Sequence, residues 1–219
     1  MTNAESTINL DPAPFPCYLL PMNSDGTASG QDHATAQDVD LVRAIAAGDD
    51  SALSELFKRY QSRVLNVAYR FLGRQDEAEL VVQDTFMKIW HSAGKYRGSS
   101  QAWTWIYRIA VNLCNNFKSR NRNDFSELDE TLPAGPEHEP AEAFHRKEQE
   151  SIIRRALDAL PDDQKMVVVL TRFEGLSYID TAQVMGKSTS ATAMLLLRAK
   201  ETLRVKLTPF LKQGKFSPL

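Results

Sequence analysis

Residues 49–73 read DDSALSELFKRYQSRVLNVAYRFLG. Leu53, Phe57, Tyr60, Val64, Val67 and Phe71 follow one another at steps of 4, 3, 4, 3 and 4. Such spacing lays the apolar side chains along one stripe of a helix of about twenty residues. An aspartate at its start and Gly73 at its end supply the punctuation a helix needs. No alternation of period two bounded by turn residues appears in the flanking sequence, so strands are not expected there.

Outward from this stripe the same period continues. A short amphipathic helix is predicted from Asp38 to Ala47, stopped by Gly48. A third runs from about Gln75 to His91, with Leu80, Phe86 or Met87, and Trp90 inward. Gly94 and Gly98 bracket the loop Lys95-Tyr96-Arg97, and a fourth helix covers about Ser100 to Arg120. Pro133, Gly135, Pro136 and Pro140 then fall among many acids, which is linker composition. Helices resume at Glu148–Leu160, Asp162–Phe173, Ser177–Met185 and Ser188 to about Leu207, the last ending before Pro209. Asp162, Ser177 and Ser188 are capping candidates. The expected fold is all-α: two small helical domains, 38–122 and 148–211, joined by a flexible acidic linker at 123–147, the second with a helix-turn-helix. Residues 1–37 read as a disordered extension whose piece Phe15–Leu20 is apolar enough to dock, and 212–219 as a tail.

Composition bounds the function. The chain has 219 residues, 42% apolar and 25% charged, enough to bury a core. No run of eighteen apolar residues exists and no basic, then apolar leader opens the chain, so neither a membrane span nor secretion is expected. Two cysteines, Cys17 and Cys114, make no disulfide framework and no zinc spacing. A cytoplasmic location, no metal and no cofactor are the expectations. Nucleophile–base groupings and Gly-rich phosphate loops are not found, so catalytic residues are not expected either. The net charge of −2 hides an asymmetry. Residues 38–122 hold thirteen basic and nine acidic residues, and residues 152–219 hold eleven and six. The intervening 123–151 hold nine acids against Arg146 and Lys147. Two basic blocks around an acidic spacer point to a polyanion partner.

Three segments carry chemistry. Thr85 to Arg122 contains Lys88, Lys95, Arg97, Arg108, Lys118, Arg120 and Arg122 with no acid. Interleaved are Trp90, Tyr96, Trp103, Trp105, Tyr107 and Phe117. Cations that track phosphates and rings that stack on bases are what a separated strand requires. Helical spacing also demands that several of these rings be interior. Before this stretch, Asp76, Glu79 and Gln83 share a helix face, with Asp84 beside them, and suggest a separate protein contact. Finally, Leu176 to Gly186 is a short helix ending in a Gly turn, and Lys187-Ser188-Thr189-Ser190-Ala191-Thr192 opens the next. Leu196, Ala199, Leu203 and Leu207 form its inner stripe. The layout is that of a helix-turn-helix, although an ordinary helical hairpin has the same outline.

Together these residues resemble the extracytoplasmic-function (ECF) group of bacterial RNA polymerase sigma factors, in the sigma-70 family. The resemblance rests on Asp76-Glu77-Ala78-Glu79, Val82-Gln83-Asp84-Thr85-Phe86, Tyr96-Arg97-Gly98 and Trp105-Ile106-Tyr107-Arg108-Ile109-Ala110-Val111-Asn112. In the second half it rests on Leu160-Pro161, Phe173-Glu174-Gly175-Leu176-Ser177-Tyr178 and Arg198-Ala199-Lys200. It implies a sigma region 2 followed by a region 4. Asp76, Glu79, Gln83 and Asp84 would dock on the β′ clamp helices of core RNA polymerase. Lys95, Tyr96, Arg97, Trp103, Trp105, Tyr107, Arg108, Asn112, Arg120 and Arg122 would bind and melt the minus-ten element of promoter DNA. Region 4 would meet the β flap and read the minus-thirty-five element through Lys187, Ser188, Thr189, Ser190, Thr192, Arg198 and Lys200. An anti-sigma factor is the implied regulator. One departure stands out: many members carry Thr-Val-Lys/Arg-Ser-Arg early in the recognition helix. Here the aligned stretch is Ala191-Thr192-Ala193-Met194-Leu195, without either cation. A stand-alone helix-turn-helix regulator and a sigma-like protein that engages polymerase without initiating are the competing expectations.

Overall fold

The Asp49 carboxylate starts the second helix by accepting from the Ser51 and Ala52 amides at 2.8 and 3.2 Å. Capping of this kind satisfies amides that have no intrahelical partner. The computed structural model describes residues 35–98, 100–124 and 141–212. Among them are eight α-helices: α1 (Thr35–Ala46), α2 (Asp50–Leu72), α3 (Gln75–Ser92), α4 (Ala102–Asp124), α5 (Ala141–Asp158), α6 (Asp162–Val168), α7 (Tyr178–Met185) and α8 (Thr189–Lys212). A short 3-10 turn, Ala93–Lys95, follows α3, and a π-helical turn, Val169–Phe173, follows α6. No strand occurs among the described residues. The extension piece Phe15–Leu20, most of the acidic linker and the last seven residues lie outside them.

α2 is the central element of the first half. Leu56, Tyr60, Val64, Val67 and Phe71 are buried. Leu53 is only partly buried and Phe57 is exposed, so the inward stripe runs through Ala52 and Leu56 rather than the predicted Leu53 and Phe57. Phe57 instead meets Phe86 of α3 edge-on, with ring centroids 4.7 Å apart. Gly73 adopts φ 83° and donates its amide to the Tyr69 carbonyl, a left-handed end that turns the chain directly into α3. α1 is fastened to α2 through Asp38, which is 1% exposed. Its carboxylate accepts from Arg59 Nη1 at 2.9 Å and from the Tyr60 hydroxyl. A carboxylate this deep needs such partners to offset its lost hydration.

In the second half, Ile152, Ala156, Leu157 and Leu160 pack with Val167 and Val168 against Leu196, Ala199, Leu203 and Leu207 of α8. The inner stripe predicted for α8 is thus the observed one. Lys165, 1% exposed, reaches Asp158 at 2.6 Å. Burial pushes its ammonium pKa down, and the ion pair with Asp158 opposes that fall.

Several boundaries differ from the expectations. α4 runs to Asp124 and α5 begins at Ala141, so both helices enter the stretch assigned to the linker. α8 passes through Pro209 to Lys212 rather than ending before it. Proline removes one helical hydrogen bond, but Phe210 packs on the second-half core beyond it, and that contact favours continuing the helix. Asp162 does not cap α6: Pro161 holds that position, and Asp162 with Asp163 sits in the first turn, where carboxylates favour the helix dipole.

The two halves share apolar surface. Met166, Val169, Leu170, Leu176 and Val184 of the second half belong to the same buried cluster as Phe71, Ile106 and Tyr107 of the first. α4 packs on α7, and α2 on the π-helical turn.

Candidate nucleic-acid and protein interfaces

Three surfaces correspond to the three segments singled out in the sequence. The first is the outer face of α3. Asp76, Glu79, Gln83 and Asp84 are all exposed on it. Arg74 Nη2 pairs with Asp76 at 2.8 Å, and the hydrogen bond from Arg74 holds the Asp76 carboxyl below the usual carboxylate range. Gln75 Nε2 donates to Glu79 Oε1 at 2.8 Å. The first-turn acid that is not on this face is Glu77, which is buried and pairs with Arg74 Nε at 3.2 Å. Leu80 and Met87, expected among the inward positions, are 47% and 57% exposed and lie between the polar residues. The surface is therefore mixed, with two apolar side chains set among carboxylates. The steps of three and four from Asp76 to Glu79 and Gln83 were the signal in the sequence for the polar residues, while the outward Leu80 and Met87 were not foreseen. Phe86 occupies the inward position in Met87's place.

The second surface is the loop and α4. Lys95 and Arg97 are exposed before the helix, and Arg108, Asn112 and Arg120 along it. The Arg122 side chain lies outside the described residues. The aromatic residues divide into two groups. Trp103 and Tyr107 are 4% and 1% exposed and meet edge-on, with centroids 6.1 Å apart. Tyr96 and Trp105 are half-buried and lean together, centroids 5.2 Å apart, while the Tyr96 hydroxyl donates to the Ser100 carbonyl. Of the four rings, Tyr96 and Trp105 keep surface that a base can reach, whereas Trp103 and Tyr107 support the helix from within.

Part of α4 is occupied by the second half. The Tyr107 hydroxyl donates to Glu174 Oε2 at 2.7 Å, and Arg108 Nη2 donates to the Gln183 carbonyl of α7 at 2.6 Å. Nearby, the Arg70 guanidinium lies 4.1 Å from the Phe173 ring centroid, and Arg154 donates to the Tyr69 hydroxyl. Lys118 and Asp162 stand 4.0 Å apart. Burial pushes the Glu174 carboxyl up, opposed by the Tyr107 hydrogen bond and by the charges of Arg63 and Arg70. Tyr69, Arg70, Arg154 and Gln183 were not singled out in the sequence, and Glu174 entered only within the Phe173–Tyr178 motif. They sit on α2, α5, α7 and the turn after the π-helical segment, and no spacing rule connects residues 67 or 75 positions apart.

The third surface is the helix-turn-helix. Ser177 caps α7, accepting from the Asp180 amide at 3.1 Å. Gly186 adopts φ 64° and the Lys187 amide reaches back to the Ala182 carbonyl at 2.9 Å, closing α7 and aiming the chain into α8. Ser188 accepts from the Ala191 amide at 3.2 Å. Thr189, Ser190 and Arg198 are exposed, and Lys200 is half-buried. Lys187 Nζ is engaged by Asp163 at 3.0 Å. Thr192 is fully buried, and its hydroxyl donates to the Ser188 carbonyl at 3.1 Å, so it faces the interior rather than a groove.

No group of three or more His, Cys, Asp or Glu suited to a metal occurs among the described residues. No helix among them is long and apolar enough to cross a membrane. Cys114 is buried, and its thiol is pushed up to about 12, which leaves it protonated and inert near neutrality.

Residues 56–123 match the family model of sigma-70 region 2, and residues 150–203 that of sigma-70 region 4. The chain is 33% identical over 190 residues to the RNA polymerase sigma-H factor of Pseudomonas aeruginosa, a match spanning 81% of this chain and 97% of that protein. It is 32% identical to the ECF RNA polymerase sigma-E factor of Haemophilus influenzae, across 78% of this chain and 95% of that one. In fold it is similar to the solved structure of CnrH in complex with the cytosolic domain of CnrY, with a TM-score of 0.62 and 23% identity over 79% of this chain and 98% of that one. It is also similar to the sigma factor RpoE in complex with the anti-sigma factor NepR from Bartonella quintana, with a TM-score of 0.52 and 24% identity over 71% of this chain and 96% of that one. With both sigma regions matched in order and full-length relatives at this identity, the chain belongs to the ECF group of the sigma-70 family of RNA polymerase sigma factors.

Proposed function

We propose that the three surfaces divide the work of transcription initiation. The mixed face of α3, through Asp76, Glu79, Gln83 and Asp84 with Leu80 and Met87, seats the protein on the β′ clamp helices of core polymerase. The loop at Lys95–Arg97 and the outer side of α4 hold the melted minus-ten strand. Tyr96 and Trp105 supply rings, and Arg97, Arg108, Asn112 and Arg120 supply polar contacts. α7 and α8 meet the β flap and the upstream element. The protein acts in the cytoplasm, where its template is, and contributes binding rather than catalysis.

The observation that carries this reading is that one helical unit exposes both the carboxylates and apolar side chains of α3 and the cations of the Lys95–Arg97 loop and α4. Its test is transcription in vitro: purified protein plus core enzyme on a pool of genomic promoters. Defined start sites above the core-alone background support the reading. Equal output with and without the protein overturns it.

Contacts between the halves suggest how activity is restrained. In the joined arrangement Arg108 Nη2 donates to the Gln183 carbonyl and α7 packs on α4, so α7 covers part of the side of α4 assigned to the minus-ten strand. A partner that binds both halves at once would keep them together. The two similar structures are, by their descriptions, complexes with CnrY and with the anti-sigma factor NepR. We infer that an anti-sigma factor acts on this chain by stabilising the joined arrangement. Pull-down from cells under varied stress, with no partner but polymerase in every condition, counts against this.

A further inference from the structure

Guanine is read most often by Arg or Lys, and adenine by Asn or Gln, each through two hydrogen bonds in the major groove. From Thr189 to Leu197, the first two and a half turns of α8, there is no Arg, Lys, Asn or Gln. Lys187, just before the helix, is tied to Asp163. Thr192 is buried. What Thr189–Leu197 offers outward is two hydroxyl side chains, Thr189 and Ser190, the small Ala191, and two large apolar side chains, Met194 and Leu197. These last are 49% and 50% exposed, although the opposite face of the same helix buries Leu196, Ala199 and Leu203. Ser190, Met194 and Leu197 follow at steps of four and three and share one face, with Arg198 exposed at its edge.

Hydroxyls accept or donate to any base edge and discriminate weakly. An apolar side chain in the major groove has one specific complement, the C5-methyl of thymine. Resting on the sigma-factor reading above, we propose that α8 recognises its upstream element through thymine methyl groups, with Met194 and Leu197 as the side chains that contact them. Arg198, next to Leu197, pairs with the phosphate backbone and fixes the depth of insertion. The charge arrangement favours DNA over a protein as occupant. Arg198 and Lys206 are exposed along α8, and Glu201 is already neutralised by Arg204 at 2.8 Å.

The test uses the full chain with core polymerase on a promoter obtained by start-site mapping, its upstream contact located by footprinting. Two templates are synthesised, identical except that thymines in the upstream element are replaced by uracil, which lacks only the methyl. Transcription is expected to fall about fourfold for each methyl contacted, the effect of exposing one buried methyl-sized group. A Met194→Ala, Leu197→Ala double variant should start lower on the thymine template and show no further loss on uracil. Equal transcription by the unaltered protein from both templates overturns the proposal. So does a double variant that loses activity while keeping the full thymine–uracil difference. Activity lost by the variant, with the unaltered protein indifferent to uracil, assigns the face to a protein contact and also overturns it. Failure of the unaltered protein to transcribe the thymine template is a failure of the sigma-factor reading itself, and is thereby distinguished.

Discussion

The Tyr107 hydroxyl donates to Glu174 Oε2 across 2.7 Å, joining α4 of the first helical half to the turn that precedes the helix-turn-helix. The donor is almost wholly buried and the acceptor carries a charge that burial disfavours. A hydrogen bond to a buried charged group contributes about 1.5–3 kcal/mol. Tyr107→Phe keeps the ring in the core and removes only the donor. The joined arrangement should weaken by about that amount and the separated form become more populated. A pair of fluorophores, one on each half, should report lower transfer efficiency in the variant. Unchanged efficiency would mean that the apolar contacts alone hold the halves.

The same carboxyl gives the junction a pH dependence. Burial raises the Glu174 pKa from its ordinary value of 4.5 while the halves are joined, and separation returns it toward that value. Between the two values the joined form therefore binds more protons. Closure is strongest below 4.5 and weakens as pH rises through the raised value. Arg63, Arg70 and the Tyr107 hydroxyl face the same group and oppose the shift, so they narrow this window. Transfer efficiency measured against pH should fall as pH rises through the window in the unaltered protein. It should stay flat across it in Glu174→Gln.

On α3, the exposed apolar residues are the ones to test for polymerase capture. Full burial of a Leu or Met side chain is worth about 1.5–3 kcal/mol. Leu80→Ala with Met87→Ala should weaken core binding by at least tenfold, read by titration of labelled protein with core enzyme. The melting temperature should not drop, because both side chains are solvent-facing. Charge reversal at Asp84 should give the same sign of effect, and a larger one at low salt.

Within the helix-turn-helix, Thr192 and Arg198 should separate. Thr192→Val removes a buried hydroxyl whose bond to the Ser188 carbonyl is internal, so it should alter stability by about 0.5–1.5 kcal/mol and leave promoter choice unchanged. Arg198→Ala should lower promoter affinity across sequences and flatten the log–log salt dependence of holoenzyme binding by about one unit. A change of promoter preference in Thr192→Val would contradict its inward placement.

The core of the first half offers a control on all of these. Phe71 is fully buried between α2 and its neighbours, with the Lys118 and Lys165 ammonium groups each 5.8 Å from its ring centroid. Phe71→Ala should cost about 3–5 kcal/mol through lost transfer energy and the cavity left behind. Thermal unfolding should show it, and both halves should respond, because Phe71 shares a cluster with Met166, Val169 and Leu170.

Local periodicity was enough to determine the helical character of this chain, the order of its helices, the Gly73 and Gly186 turns and the inner stripe of α8. Each depends on residues three or four apart or on one backbone angle. The α3 acids and the helix-turn-helix were legible for the same reason. What only tertiary structure decided is which side chains of an amphipathic stretch point outward when two registers compete. Leu56 displaced Phe57, and Phe86 left Met87 and Leu80 to the solvent. It also decided that Trp103, Tyr107 and Thr192 are interior, and that Tyr107 and Arg108 meet Glu174 and Gln183. Those contacts bring together residues far apart in the chain, and their energy arises only when separate helices bury common apolar surface, a quantity no spacing along one helix contains.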